Sequence, residues 1–234
     1  AVNPEIRSSM IAVNGRDEFL FRTRASEPNQ PPEDAAVADA MRRCVGVDIA
    51  MEIVAHEPWT AGMALVADRF ADRRVFLAGD AVHLFTPTGG FGMNTGIDDA
   101  ANLAWKLAAM VHGWGGSELM ASYEKERLPI ALRNTDAARK LTANIGETDI
   151  DPAIEHDTSM GEAARRTAGE MLANFGEQFA SIGVQLGARY DGSPLIASEG
   201  PAPADSFVTY TPTSVPGGRA PHLWLDEKRT FGSS

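Results

Sequence analysis

Only one cysteine, Cys44, occurs among the 234 residues. A lone thiol excludes an internal disulfide and a cysteine-based zinc site, and it suits a reducing compartment, so the cytoplasm is the expected location. Histidine is sparse too, and His112, His156 and His222 lie far apart with no metal-ligand spacing, so no metal site is expected. Basic residues number 21 against 32 acidic ones, a net charge of -11. That balance works against binding a phosphate backbone, and the pairs Arg42-Arg43, Arg73-Arg74 and Arg165-Arg166 stand isolated among acids, so no nucleic-acid partner is expected. No apolar run approaches the roughly 20 residues of a membrane span, and Ala1-Val2-Asn3-Pro4 has neither the basic start nor the apolar core of a signal peptide. A membrane partner is therefore not expected. No strand leading through G-x-G-x-x-G into a helix occurs, and no internal repeat.

What remains is ordinary globular material, 44% hydrophobic and long enough for one large domain or two small ones. Residues 9–13 and 18–23 are β-rich runs on either side of Asn14-Gly15, a hairpin signal. From Glu33 to Val45, acids in the first turn and Arg42 and Arg43 in the last suit a helix dipole. Residues 47–55 alternate like a strand that Pro58-Trp59 ends, 64–69 reads as extended, and the apolar run 74–78 reads as a strand covered on both faces of a parallel or mixed sheet. Beyond it, Ile97, Ala100, Ala101, Ala104, Leu107, Ala108 and Val111 recur at helical spacing. Gly113–Gly116 ends that helix; Ser117 can cap a second, with a kink expected at Pro129, and a third spans roughly 159–182. From Gly183 onward, proline, glycine and serine predict mostly loop with a few short strands.

Residues 75–107, VFLAGDAVHLFTPTGGFGMNTGIDDAANLAWKL, carry most of the functional information. A strand that ends in a carboxylate, a loop whose glycines let backbone amides approach a ligand, and a helix N-terminus together can hold a polar cofactor. Asp80, at the end of a strand expected to be buried, needs donors, because an unpaired carboxylate in an apolar setting is costly. Either a ligand hydroxyl supplies them or Asp80 braces the following loop. Pro87, Gly89, Gly90 and Gly92 leave backbone uncovered for a flat ring. At Met93-Asn94-Thr95 the first helical amides carry the positive end of the dipole, or else Asn94 or Thr95 caps the helix, with Thr95 and Asp98 spaced like a capping box.

The order of these elements, GD-x-x-H-x-x-x-P-x-G-G-x-G-x-N-x-G-x-x-D-A-x-N-L-A-W-K-L, resembles the second flavin-binding motif of the single-component FAD-dependent aromatic hydroxylases, the group of para-hydroxybenzoate, phenol and dichlorophenol hydroxylases. The resemblance implies an α/β (α+β) fold: an incomplete FAD/NAD(P)-binding Rossmann-like domain, strands of a β-rich substrate domain, and C-terminal helices. It implies FAD as cofactor, with Gly79 and Asp80 at the ribityl chain, Pro87 beside the isoalloxazine ring, and the backbone of Gly89, Gly90, Gly92, Met93 and Asn94 at the pyrimidine side, where a helix N-terminus favours reduced, anionic flavin. NAD(P)H is the implied electron donor; O2 and an aromatic, phenolic or polyketide-like small molecule are the implied substrates, joined through a flavin hydroperoxide. His83 falls in the motif's structural frame. No residue stands out as a general acid or base, so the catalytic residues are unknown; His56, Trp59 and Tyr190 read as packing or surface before pocket.

The resemblance extends over nearly the whole chain and divides it. Residues 1–70 look like the later part of a substrate-binding domain, 71–145 like the FAD-domain part with the GD motif and long helices, 146–214 like a helical segment and linker, and 215–234 like the start of a thioredoxin-like domain. LGARYDGSPLI at 186–196 and PGGRAPHLWLD at 216–226 point to the dichlorophenol and polyketide hydroxylase branch rather than to flavin halogenases. The chain opens without methionine, in strand-like sequence. The expectation is a middle-to-late part of a larger hydroxylase, whose partner is a missing N-terminal half or another copy of the chain; a non-catalytic module needing such a partner is the alternative.

Overall fold

In the computed structural model, residues 8–23, 32–58, 62–146, 150–173, 176, 180–197, 199–226 and 229–230 are described. They fall into two compact units, 1–60 with 147–174 and 61–146 with 175–234. Helices and short strands mix in both, as the α/β (α+β) reading requires.

The first unit holds the expected hairpin. β1 (Ser8–Ala12) and β2 (Phe19–Thr23) run antiparallel, with Ser8 opposite Thr23 and Ala12 opposite Phe19. Asn14 organises the turn: its Oδ1 accepts from the amides of Arg16, Asp17 and Glu18 at 2.9, 3.2 and 3.1 Å. α1 (Asp34–Val45) follows, and Gly46, at φ 80°, ends it in the left-handed conformation that glycine takes without steric cost. Residues 47–55 form no strand. Their alternation survives as burial, with Ile49, Met51 and Ile53 half-buried between exposed neighbours, but among the described residues no strand pairs with them. α4 (Ser159–Ala173) packs on the 3-10 turn Pro152–Glu155. It stops short of the expected 182, and residues 174–175 and 177–179 lie outside the described set.

The second unit is built on two long helices, α2 (Phe91–Val111) and α3 (Ser117–Gly146). α3 is continuous through Pro129, whose ring lies on the exposed side of the helix together with Lys125, so the carbonyl that loses its donor can meet water. Short antiparallel pairs lead into the motif: β3 (Leu65–Val66) with β6 (His83–Leu84), and β4 (Ala71–Asp72) with β5 (Val75–Phe76). The expected strand at 74–78, covered on both faces, is thus a two-residue hairpin arm. Val75 is 61% exposed. Its apolar run meets no parallel neighbour among the described residues. α5 (Ile182–Leu186), an isolated bridge between Arg189 and Gly218, and the paired β7 (Trp224–Asp226) and β8 (Arg229–Thr230) complete an otherwise irregular tail.

Two clusters form the core of this unit. Phe91, Ala137, Ala138, Leu141 and Val184 pack with Phe85 and Phe207. Phe70, Val82, Tyr123 and Ala131 pack with Val66, Phe76 and Leu103. α3 contributes to both, and so fixes the start of α2 and the strands before it in one frame.

Candidate functional site

The eight expected cofactor residues lie in the second unit: Gly79, Asp80, Pro87, Gly89 and Gly90 on two turns that flank β6, and Gly92, Met93 and Asn94 in the first turn of α2. Gly79 and Asp80 belong to a 3-10 turn, Gly79–Ala81, with Gly79 at φ 60°. Asp80 is exposed, which corrects the expectation of a buried carboxylate. The run before it is a short hairpin arm and not a covered strand, so Asp80 has no desolvation cost to offset; its carboxylate makes no hydrogen bond or ion pair among the described residues. Pro87 is exposed on the second turn, and Gly89 and Gly90 follow at φ 87° and 68°. A Cβ on Gly89 would come within 2.5 Å of the Phe91 ring, whereas one on Gly90 would meet nothing within 4 Å. Gly90 therefore leaves its backbone open to a flat group.

Helix α2 begins at Phe91, with Gly90 as its left-handed N-cap and no side-chain cap, not at Met93-Asn94-Thr95. The unpaired first-turn amides are those of Phe91, Gly92 and Met93. Asn94 is already inside the helix and donates back to the Gly90 carbonyl at 2.8 Å. Thr95 is buried one turn in, so neither residue caps the helix and the capping box does not form.

The buried face of α2 is the polar one. Thr95, Asp99, Asn102 and Lys106 face inward, while Ile97, Ala100, Ala101, Ala104, Leu107, Ala108 and Val111, the apolar stripe, are all exposed. The inward stripe meets a matching one on α3. Asp99 Oδ1 accepts from Arg127 Nε at 2.7 Å, and Oδ2 accepts from His83 Nε2 at 2.6 Å and from the Gly79 amide at 3.1 Å. Arg127 also donates to the Thr95 carbonyl and to the Tyr190 hydroxyl, both at 3.2 Å. Glu126 accepts from Lys106 at 2.6 Å, Asn102 at 2.7 Å and Ser193 at 2.6 Å.

Charge follows from this packing. Burial pushes the Asp99 carboxyl up, but His83, Arg127 and the Gly79 amide outweigh it and hold the group below its ordinary value. Glu126 is held down the same way by Asn102, Lys106 and Ser193. Lys106 has one carboxylate oxygen against the cost of burying its ammonium, and burial wins, lowering it. Burial, with the Asp99 charge nearby, raises the Tyr123 phenol, whose hydroxyl donates to the Leu77 carbonyl at 2.7 Å.

Helix α3 also grips the chain before the motif and the loop within it. Glu124 Oε2 accepts the amides of Phe70 and Ala71 at 2.7 and 3.1 Å. Thr142 Oγ1 lies 2.8 Å from Thr86 Oγ1, 2.9 Å from Thr88 Oγ1 and 3.0 Å from the Ala138 carbonyl. One hydroxyl donates once and accepts twice, so Thr142 can donate to Ala138 while Thr86 and Thr88, on either side of Pro87, donate to it.

A match to the model of the family described as FAD binding domain covers residues 9–138. The chain belongs to the FAD binding domain family. A putative polyketide hydroxylase from Streptomyces halstedii is 38% identical over 233 residues, 97% of this FAD binding domain chain and 38% of that protein. The structure of the rebeccamycin biosynthetic enzyme RebC with reduced flavin superposes with a TM-score of 0.77 at 34% identity, covering 94% of the chain and 40% of RebC. The flavin-dependent monooxygenase PieE in complex with FAD and substrate gives 0.77 at 28% identity, 96% and 42% covered. The chain thus spans about two fifths of the length of these relatives.

The residues present suit FAD: an unpartnered exposed carboxylate at Asp80, an open backbone at Gly90 and free amides at the start of α2 offer an acceptor, a flat bed and donors in sequence order. A groove of about 230 Å³ beside Pro129, Arg133, Arg189, Asp205 and Tyr210 contains none of these residues. His56 pairs with Asp34 at 2.9 Å in the first unit, and Trp59 lies outside the described residues. No metal-ligating cluster occurs among the described residues, and no helix there is long and apolar enough to cross a membrane.

The expected roles missed Asp99, Asn102 and Lys106, although the motif string contains them. Their signal was present: three polar residues at spacings of three and four on one helical face, answered by Glu126 and Arg127 on the next helix.

Proposed function

We propose that this chain supplies the flavin-ring side of the site in an FAD-dependent, NAD(P)H-using aromatic-ring monooxygenase acting on a phenolic or polyketide-like substrate with O2. The observation that carries this reading is Asp80: a carboxylate left exposed, and unpartnered among the described residues, on a turn whose two flanks, the Gly79 amide and the His83 ring, are both held by Asp99. Asp80 accepts from hydroxyls of the ribityl chain, Pro87 lies beside the isoalloxazine, and the backbone of Gly89, Gly90, Gly92, Met93 and Asn94 faces its pyrimidine edge. FAD, when bound and reduced, supplies the oxygen-activating chemistry. The chain's part is to orient the ring and to set the α2 amides where negative charge on the reduced ring is favoured. The name of the Streptomyces halstedii relative supports a polyketide-like substrate, and the single cysteine supports a cytoplasmic setting.

Asp80→Ala is expected to weaken FAD retention at least about tenfold, the loss of charge-assisted hydrogen bonds worth roughly 1.5–3 kcal/mol. Unchanged affinity contradicts the role.

The exposed apolar stripe of α2 favours a related reading of the partners. Ile97 at 57%, Leu107 at 41% and Val111 at 83% exposure leave more apolar surface on α2 than a solvated helix face needs. A separate N-terminal portion of a flavin domain, or a second copy of the chain, covers it; residues 1–70 then belong to a substrate-binding domain, 71–145 to the FAD domain, 146–214 to a helical linker and 215–234 to a thioredoxin-like domain. Light scattering on the isolated chain decides whether a partner is needed: a well-behaved monomer of 25.0 kDa contradicts it.

A further inference from the structure

The geometry points to Asp99 as the positioning residue of the cofactor turn, a group that never touches the ligand but sets the direction of Asp80. The inference rests on the proposed FAD reading and adds a role for a side chain that is completely buried.

One oxygen of Asp99, Oδ2, holds both ends of the segment Gly79 to His83: the Gly79 amide at 3.1 Å and His83 Nε2 at 2.6 Å. The other oxygen is locked to Arg127 Nε at 2.7 Å, and Arg127 is fixed in turn by Thr95 and Tyr190. The segment between is a single 3-10 turn, closed by the Val82 amide on the Gly79 carbonyl at 3.0 Å. With its first amide and its last ring both drawn inward to one carboxylate, the turn displays Asp80 on its outer side, which accounts for an exposed carboxylate between half-buried Gly79 and buried Val82.

Two details show that the turn is tightly seated. Gly79 takes φ 60°, where a side chain would be strained, and a Cβ on Gly96 of α2 would lie only 3.2 Å from the Gly79 Cα. Turn and helix therefore touch backbone to backbone, and Asp99, one turn along α2 from Gly96, supplies the side-chain acceptor of the Gly79 amide. His83 contributes through Nε2 alone, since its buried Nδ1 has no partner among the described residues. An aromatic ring held by one hydrogen bond relies on that bond for its orientation, with Phe85 edge-on at a centroid distance of 5.0 Å.

A merely structural Asp99 would lower stability without singling out the turn. The test uses the full chain and two readouts. Amide hydrogen exchange at Gly79 is expected to accelerate at least about tenfold in Asp99→Asn while amides in the middle of α3 keep their protection. FAD affinity, followed by flavin fluorescence, is expected to fall by a similar factor. Lys106→Met, which breaks the other buried ion pair on the same face of α2, is expected to lower the melting temperature yet leave Gly79 exchange and FAD affinity within about twofold. Should Asp99→Asn fail to fold, His83 provides the second variant pair: His83→Gln, which can still donate to Asp99, retains FAD affinity and His83→Leu loses it. Gly79 protection unchanged in a folded Asp99→Asn, or equal FAD affinity for His83→Gln and His83→Leu, overturns the inference. Wild-type chain that exchanges as expected at Gly79 but binds no FAD overturns the FAD reading and leaves the brace itself standing.

Discussion

Arg127 on α3 donates its Nε proton to Asp99 on α2 at 2.7 Å, with both side chains at most 1% exposed. A buried pair of this kind adds little net stability compared with apolar groups of the same volume, but breaking it strands a charge. Its importance lies in what else each partner holds: Asp99 the Gly79 amide and His83, Arg127 the Thr95 carbonyl and Tyr190.

Arg127→Met is therefore expected to destabilise the chain by about 3–5 kcal/mol, because Asp99 stays buried without its main cation. Arg127→Lys is expected to recover only part of the loss, since an ammonium cannot reproduce the fork that serves three acceptors. Urea denaturation followed by circular dichroism measures both. A cost below about 1 kcal/mol for Arg127→Met contradicts the pairing.

Acid should weaken the same interface. Asp99 and Glu126 titrate below their ordinary values in the folded chain, so each contributes stability that is fully present above the unfolded carboxylate value of about 4 and is lost as pH falls through the depressed folded value. The stability gap between wild type and Asp99→Asn is expected to be widest near about pH 6 and to shrink toward about pH 3. A gap that stays constant over that range contradicts the linkage.

Gly96→Ala separates helix propensity from packing. In an exposed helix interior alanine gains roughly 1 kcal/mol over glycine, so propensity alone predicts a stabilised chain. Here the new Cβ would press on the Gly79 backbone at 3.2 Å. The expected outcome is lower stability and weaker FAD binding; a higher melting temperature contradicts the close seating of turn on helix.

Thr142 tests the ring side of the loop. Thr142→Val keeps the volume but removes the shared partner of Thr86 and Thr88, at an expected cost of about 1 kcal/mol and a several-fold loss of FAD affinity. Thr142→Ser keeps the hydroxyl and is expected to behave like wild type. Equal FAD affinity for the two variants contradicts the tether.

Much of this was legible in the residues. Asn14-Gly15 marks the hairpin, the charge order of 34–45 marks α1, and the GD string places the two turns and the helix that follows. The legible part ends where a prediction depends on what lies across the contact. Hydropathy at helical spacing points to Ile97, Ala104 and Val111 as the inward face of α2, but the described chain turns Asp99, Asn102 and Lys106 inward, because α3 offers Glu126 and Arg127 at matching positions. Complementarity between two polar stripes is a property of the pair, and neither stripe shows it alone. The run 74–78 reads as a covered strand on composition, and its burial depends on neighbours that no local pattern contains. The same dependence on neighbours, absent among the described residues, leaves Asp80, at the end of that run, exposed. Helix α2 starts two residues before Met93-Asn94-Thr95 because Gly90 ends the loop in a left-handed conformation, which lets the helix begin before the polar residues that usually cap one.

The most direct measurement is a visible absorption spectrum of the purified chain after addition of FAD and removal of the free cofactor, with Asp80→Ala alongside. Retained flavin bands in the wild type that are lost in Asp80→Ala are the predicted result, and they place the cofactor at the GD turn. Colourless wild-type protein, or equal retention by both, contradicts the claim that this chain holds flavin through that turn.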